Sequence, residues 1–234
     1  YVGFVDLQFQ YWLSVSFAVI IATFLAGDQL SKRIRFLVCG LYFLATLLFA
    51  ARYTYSAGTA DFFLQELLKN GTTTAQVMCT VHQQSAEILF QKSLEKNLRL
   101  ITGKTLMDCN APEYLLDDAS KGFDASLELI EKWHGLGRLS YAVTPRFAIT
   151  STESQLEKTG DLLTSRMGLY LHTHLSENRD EVGMIKTLFP WSRDYLDVYE
   201  RYALVGPGTT LAHSIHLTQQ ETERIAISEA AISF

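Results

Sequence analysis

The segment Leu169-Tyr170-Leu171-His172-Thr173-His174-Leu175-Ser176-Glu177 decides the fold class of this chain. Its short β-forming run leads directly into two histidines and a glutamate, and an amphipathic stretch follows from Asn178. A second run, Thr209-Thr210-Leu211-Ala212-His213, ends in the same way. Strands that alternate with helices form parallel sheets, and residues just past the carboxyl ends of such strands share one edge. The two segments therefore predict successive β/α units that carry polar side chains to a common face.

The same alternation extends through the chain from residue 59 to residue 234. Short β-rich runs are separated there by stretches whose apolar residues recur at three- and four-residue spacing, which is typical of helices packed on a sheet. The pattern predicts an α/β fold, part of a TIM-type (β/α) barrel, and we expect it to be the central part of a larger barrel. The predicted strands are residues 73–80, 98–107, 138–143, 169–171, 209–211 and 231–234, and the predicted helices are residues 85–97, 119–136, 152–166, 178–188 and 218–227.

Residues 1–58 have a different composition from the rest of the chain. Residues 7–27 and 36–51 contain no charged residue, and only a short polar link separates them. An uncharged run of about 20 residues is long enough to cross a bilayer as a helix. The sequence therefore predicts that residues 1–58 form a hydrophobic transmembrane helical hairpin, which contacts the membrane through residues 7–51, with a pair of buried soluble helices as the alternative. A cleavable signal peptide is disfavoured because no basic segment precedes the first run.

Composition excludes several classes of function. The net charge is −5 and the basic residues form no stripe, which argues against a nucleic-acid-binding surface. The three cysteines, Cys39, Cys79 and Cys109, are far apart and form no C-x-x-C pair, so reduced thiols in a reducing compartment are expected. The chain contains no glycine-rich phosphate loop and no G-x-S-x-G esterase segment.

Histidines at two strand ends are the candidate metal ligands. Imidazoles and carboxylates that hold a zinc-like ion with one position open lower the pKa of bound water towards about 7. His174 and His213 suit that role, and Glu177 would lie at the start of the next helix, where it could transfer a proton. The alternative for Glu177 is a surface residue that interacts favourably with the helix dipole. A less favoured assignment joins His172 and His174 as an H-x-H pair, with His213 as the third ligand.

Arg146 and Phe147 follow the predicted strand at residues 138–143 and are the candidate substrate-binding residues. A planar, permanently charged guanidinium suits recognition of a carbonyl or a ring-nitrogen edge, and a phenyl ring can stack on a flat ring. The alternative is a structural role, with Arg146 in a salt bridge.

From about residue 60 to residue 234 the chain resembles the guanine deaminases, zinc enzymes of the amidohydrolase superfamily. The segments Pro-Arg-Phe and Thr-His-Leu-Ser-Glu-Asn carry the most specific part of this resemblance. The matching stretches are Leu-Leu-Lys-Asn-Gly-Thr-Thr-Thr-Ala at 67–75, Thr-Val-His at 80–82, Gly-Lys at 103–104, Met-Asp at 107–108, Thr-Pro-Arg-Phe-Ala at 144–148, His-Thr-His-Leu-Ser-Glu-Asn at 172–178, Tyr-Leu-Asp-Val-Tyr at 195–199 and Ala-His-Ser-Ile-His-Leu at 212–217.

The resemblance implies hydrolysis of guanine to xanthine and ammonia by metal-bound hydroxide, with zinc as the cofactor. It implies that His174 and His213 are zinc ligands, that Glu177 is the proton shuttle, and that Arg146 with Phe147 holds the purine. His172 is then a neighbour of the site. The family also implies a cytoplasmic homo-oligomer, whereas a genuine hairpin at residues 1–58 would imply membrane association.

The chain departs from the family at two places. An H-x-H pair that supplies two zinc ligands is expected after the family's first strand, but no histidine precedes His82, and the aspartate of the eighth strand has no counterpart. We therefore expect this chain by itself to be inactive and prone to aggregation, and residues 1–58 to derive from a fusion or an assembly artefact. The rival hypothesis is a non-catalytic membrane-anchored fragment or fusion product. A hydrolase for triazines or adenosine is disfavoured by Pro145-Arg146-Phe147.

Overall fold

The computed structural model describes residues 32–234, and it leaves out several side chains between residues 32 and 53. Residues 60–234 form one compact unit, and the described residues before residue 60 belong to a separate unit. The helices are α1 (Lys32–Lys69), α2 (Gln83–Glu95), α3 (Ala119–Trp133), α4 (Glu153–Ser165), α5 (Arg179–Leu188), α6 (Tyr195–Arg201) and α7 (Gln219–Ser228), with short 3-10 helices at Glu113–Leu115 and Ala148–Thr150. The strands are β1 (Thr74–Met78), β2 (Arg99–Gly103), β3 (Thr105–Leu106), β4 (Leu139–Pro145), β5 (Tyr170–Leu175), β6 (Thr209–His213) and β7 (Ala231–Ser233).

Helix α1 differs from the predicted hairpin. Its 38 residues run without interruption from Lys32 to Lys69, so the predicted link at residues 28–35 is helical from Lys32, and the helix continues past the uncharged run at residues 36–51 and past residue 58. Lysine and arginine are good helix formers, and no proline lies between residues 32 and 69. The helix can therefore continue through the charged residues 32–35 and through the residues that follow residue 51. The other predicted arm, residues 7–27, lies outside the described residues. Within residues 32–234, no helix is long and apolar enough to cross a membrane.

The strands of the second unit form one parallel sheet in the order β1-β2-β4-β5-β6-β7, with the short β3 paired to β4. The sheet and the helices between its strands confirm the predicted partial β/α barrel. The predicted strand at residues 98–107 is divided at Lys104. The amide of Lys104 donates to the Tyr141 hydroxyl (3.3 Å) and its buried ammonium pairs with Asp117, so this residue leaves the strand ladder.

The sheet is curled, so that side chains on strands that are not neighbours in the sheet come within hydrogen-bonding distance of each other. Thr210 of β6 donates from Oγ1 to Oε1 of Gln76 on β1 at 2.9 Å. Arg99 of β2 donates from Nη2 to the Tyr170 hydroxyl on β5 at 3.3 Å.

The hydrophobic core has two clusters. The first packs on β1, β2 and β4 and includes Phe90, Leu100, Trp133 and Tyr141. The second packs on β5 and β6 and includes Leu171, Tyr195, Tyr199 and Leu211.

Helix α6 was not among the predicted elements, because its seven residues are too few to show a helical period. Asp194 caps it by accepting from the amide of Asp197 at 2.9 Å. Arg224 of α7 holds both carboxylate oxygens of Asp194 at 2.6 Å, and Glu221 accepts from the amide of Leu196 at 3.3 Å. These contacts fix α6 against α7 and bury Tyr195 and Tyr199 behind β5.

Candidate active site

The ends of β5 and β6 bring two of the predicted site residues together. In the parallel register His174 is paired with Ala212, and Leu175 with His213. The ring centroids of His174 and His213 are 5.1 Å apart, with an interplanar angle of 32°. Two imidazoles at this separation form one face of a possible metal site.

The turns after β5 and β6 have unusual backbone conformations. Ser176, His213 and Ser214 have positive φ values of 49°, 68° and 53°. The amides of Ile215 and His216 both donate to the carbonyl of Ser176, at 3.1 and 3.0 Å, and so lock the two turns to each other. Residues held in this sparsely populated region cost about 1–3 kcal/mol each and persist where the surroundings fix them, often at functional sites.

The imidazole of His174 is oriented by the backbone carbonyl of Arg146, which directly follows β4. Its Nδ1 donates to the carbonyl oxygen of Arg146 at 2.8 Å, so the lone pair of the neutral ring is on Nε2. Burial lowers the pKa of His174 below its ordinary value of 6.5, and the nearby His213 adds to the shift, although the hydrogen bond to Arg146 offsets part of it. His174 is therefore neutral near pH 7, which is the form that binds a metal ion.

Glu177 lies immediately before Asn178, the N-cap of α5. Its Oε2 is 3.7 Å from Nε2 of His213, and its side chain is 46% exposed. The carboxylate is thus accessible to a ligand from solvent and lies beside one of the two imidazoles. This position is suitable for moving a proton to or from a molecule held at the ends of β5 and β6.

Arg146 and Phe147 lie beside His174. The guanidinium carbon of Arg146 is 4.3 Å from the centroid of the Phe147 ring. The Phe147 ring in turn approaches the His174 ring edge-on, with centroids 6.3 Å apart. A charged donor and an aromatic ring therefore lie next to His174, and these are group types that can bind a flat polar heterocycle.

The other histidines at strand ends take different positions. His82 is exposed before α2 and lines a polar cavity of about 420 Å³ with Lys104 and Asp117. His172 is half-buried, and this burial lowers the pKa of His172 to about 4. The nearby His174 contributes a smaller part of the same shift. Within the described part of the chain no group of three histidines, cysteines or acidic residues is arranged to hold a metal ion, so the alternative set of His172, His174 and His213 is not formed.

Glu181, which the sequence did not single out, is a buried carboxyl group on α5. It is 4% exposed, and neither of its carboxylate oxygens has a hydrogen-bond partner among the described residues. Burial raises the pKa of Glu181 above its ordinary value of 4.5, the hydroxyl of Tyr195 offsets part of the shift, and the charge of Glu177 adds to it. The folded protein therefore holds the Glu181 proton to a higher pH than the unfolded chain does.

Glu181→Gln is expected to stabilise the protein at pH 8 and to have little effect at pH 4. Above the ordinary pKa of 4.5, wild type loses stability as pH rises, because the folded state must ionise a carboxyl group whose pKa is raised. Glutamine removes that cost. Urea midpoints at the two pH values measure the difference, with Asp180→Asn on the exposed side of the same helix as the control. A midpoint that Glu181→Gln lowers at pH 8 would contradict the prediction.

Comparison with known proteins gives consistent matches. The model of the amidohydrolase family matches residues 26–232, and so begins within the segment for which the sequence predicted a separate hairpin. Guanine deaminase of Escherichia coli is 46% identical over 180 residues, which are 77% of this chain and 41% of that protein. Its solved structure has a TM-score of 0.76 and 45% identity, over 78% of this chain and 42% of that chain.

Two further solved structures share this fold. Guanine deaminase from C. acetobutylicum with bound guanine in the active site has a TM-score of 0.73 and 30% identity, over 77% of this chain and 43% of that chain. Atrazine chlorohydrolase of Arthrobacter aurescens in complex with zinc has a TM-score of 0.67 and 18% identity, over 81% of this chain and 47% of that chain, and shows the likeness of fold alone. The chain spans about 41% of the length of the first two curated relatives that it matches.

Proposed function

Because the chain belongs to the amidohydrolase family, we propose that it is part of a guanine deaminase-like zinc hydrolase that converts guanine to xanthine and ammonia, with an incomplete zinc site in this chain. The observation that carries the proposal is the pairing of His174 and His213, at 5.1 Å between ring centroids, with Phe147 next to His174 at 6.3 Å. The 46% identity to a guanine deaminase supports this choice of substrate within the family.

His174 and His213 are the residues that would hold the zinc ion. The lone pair on Nε2 of a neutral His174 suits a metal ligand, and the Arg146 carbonyl that holds its other nitrogen is the kind of partner that metal-binding histidines use. These two residues are part of a ligand set, since catalytic zinc sites use about three protein ligands. A zinc ion bound there would supply a water that ionises near neutral pH.

The protein's own side chains account for the rest of the proposed reaction. Arg146 donates hydrogen bonds to the carbonyl or ring nitrogens of guanine, and the Phe147 ring covers one face of the purine. Glu177 accepts a proton from the attacking water and returns it to the amino nitrogen, which leaves as ammonia. Water and guanine are thereby converted to xanthine and ammonia without any other reactant.

The family also suggests where the protein works and with what partners. We propose a cytoplasmic enzyme that assembles as a homo-oligomer and acts on a small molecule. The net charge of −5 supports the expectation that it does not bind nucleic acid.

Zinc loading of the purified protein tests the proposed function. In a protein that contains this segment together with the missing ligands, we expect about one zinc ion per chain, release of xanthine and ammonia in equal amounts from guanine, and loss of both activity and metal after chelation. This chain by itself, with two candidate ligands, should be inactive. The double variant His174→Ala, His213→Ala should take up no zinc in either form. If the protein with the complete zinc site neither takes up zinc nor releases ammonia, the result would contradict the proposal and favour a non-catalytic fragment or fusion product.

A further inference from the structure

The hydroxyl group of Tyr199 joins two strand ends in the core of the second unit. Tyr199 is 0% exposed, and its hydroxyl donates to the carbonyl of His174 at 2.8 Å. It accepts from the amide of Ala148 at 2.9 Å and from the hydroxyl of Thr173 at 3.1 Å. A phenol has one proton and two lone pairs, so these three bonds use its complete hydrogen-bonding capacity.

The two segments that this hydroxyl joins are the two that carry the candidate site. Ala148 follows Arg146 and Phe147, and its amide fixes the end of the substrate-binding segment. The carbonyl of Arg146 accepts from the amide of His174 at 3.0 Å and from its Nδ1 at 2.8 Å. Thr173 Oγ1 also approaches that carbonyl, at 3.3 Å. The position of the Arg146 peptide therefore determines which nitrogen of His174 keeps its proton.

We propose that Tyr199 is a positioning residue that couples the substrate-binding segment to the orientation and tautomer of the His174 ring. The assignment of roles to Arg146 and His174 rests on the proposed function, but the coupling between them is a property of the fold. Tyr199 does not touch the substrate. It acts through the backbone of residues 146–148 and through Thr173.

Tyr195 provides a matched control on the same helix. It lies one turn before Tyr199 on α6, is 1% exposed, and its ring centroid is 5.6 Å from that of Tyr199. Among the described residues its hydroxyl bonds neither the backbone of residues 146–148 nor that of residues 173–174, and the polar groups beside it are the Glu181 carboxyl and the Tyr199 hydroxyl. Tyr195→Phe and Tyr199→Phe thus delete the same atom from equally buried rings, and only the second deletion leaves an amide and a carbonyl of the site unpaired.

The test compares the histidine ring nitrogens of the metal-free full chain by ¹⁵N NMR, with His174 assigned through His174→Ala. In wild type we expect the tautomer of His174 with its proton on Nδ1. Tyr199→Phe should shift the His174 signals towards the other tautomer, and Tyr195→Phe should leave them unchanged. Thr173→Val, which removes a second hydroxyl of the network, should shift them in the same direction. In the zinc-loaded protein, Tyr199→Phe should weaken zinc affinity about 10-fold or more.

Spectra are recorded at a temperature where melting curves show every compared variant folded, so a loss of stability alone does not move the readout. Equal shifts in Tyr199→Phe and Tyr195→Phe, or no shift with either Tyr199→Phe or Thr173→Val, would overturn the inference. The measurement needs neither zinc nor guanine. A shift confined to Tyr199→Phe and Thr173→Val in a protein that does not deaminate guanine would support the coupling and reject the proposed function. Unchanged spectra in a protein that deaminates guanine would reject the coupling and support the proposed function.

Discussion

Under the proposed function, replacing Glu177 with glutamine is expected to lower the rate of guanine deamination about 10²- to 10⁴-fold in a protein that has the complete zinc site, which is the usual contribution of a general acid–base. Glutamine keeps the size of the side chain and its position before Asn178 but cannot accept a proton. The effect should fall on kcat, while zinc content stays unchanged because the candidate ligands are His174 and His213. Steady-state kinetics together with metal analysis of the same preparations make this measurement.

Asp180→Asn is the matched control for Glu177→Gln. Asp180 is an exposed acidic residue in the first turn of α5, so the same loss of charge is made a few residues away from the imidazole pair. Its kcat should remain close to that of wild type. If Glu177→Gln retained kcat within threefold of wild type, Glu177 would be a helix-terminus residue, which is the alternative that the sequence left open.

Gly103→Ala is expected to destabilise the protein strongly. A Cβ at residue 103 would lie 1.9 Å from the carbonyl oxygen of Ala142 and 2.9 Å from Cζ of Tyr141. Both neighbours belong to β4, which pairs with β2 through Thr102 and Tyr141, so relief of the clash would separate two paired strands. We expect the free energy of unfolding to fall by about 3 kcal/mol or more.

Urea unfolding followed by circular dichroism measures this loss, and Gly183→Ala is the control. Gly183 lies within α5, and a Cβ there would have no atom within 4 Å. Alanine should stabilise that helix by up to about 1 kcal/mol, because it is the better helix former. A Gly103→Ala midpoint equal to that of wild type would contradict the predicted close approach of β2 and β4.

Local sequence determined the order of strands and helices in the second unit. The predicted strand at residues 209–211 and the observed β6 (Thr209–His213) begin at the same residue, and Asn178, where the predicted amphipathic stretch starts, is the N-cap of α5. Histidines at two strand ends also predicted that His174 and His213 would share an edge. These features depend on residues close together in the chain, where hydrophobic period and capping preferences act directly.

Local sequence was a poor guide in other places. An uncharged stretch indicates a helix but not where it ends, so α1 was predicted as one arm of a hairpin although it continues to Lys69. The seven-residue α6 shows too little periodicity to be found, and Tyr199 was therefore missed. A signal was present in Asp194 as an N-cap followed by apolar residues at helical spacing, but a single turn of this kind is common outside helices.

The amino-acid sequence by itself determined the alternating β/α architecture, the strand ends that carry His174 and His213, and the position of Glu177 at the start of a helix. Only the tertiary structure decided that Gln76 meets Thr210, that Tyr199 joins Ala148 to His174, and that the Arg146 carbonyl orients the His174 ring. Most of these contacts join segments that are distant in sequence, and they involve backbone amides or carbonyls. Every residue type provides the same carbonyl, and every type except proline provides the same amide N–H. The contacts have no signature in the sequence and arise only when packing brings the strands together.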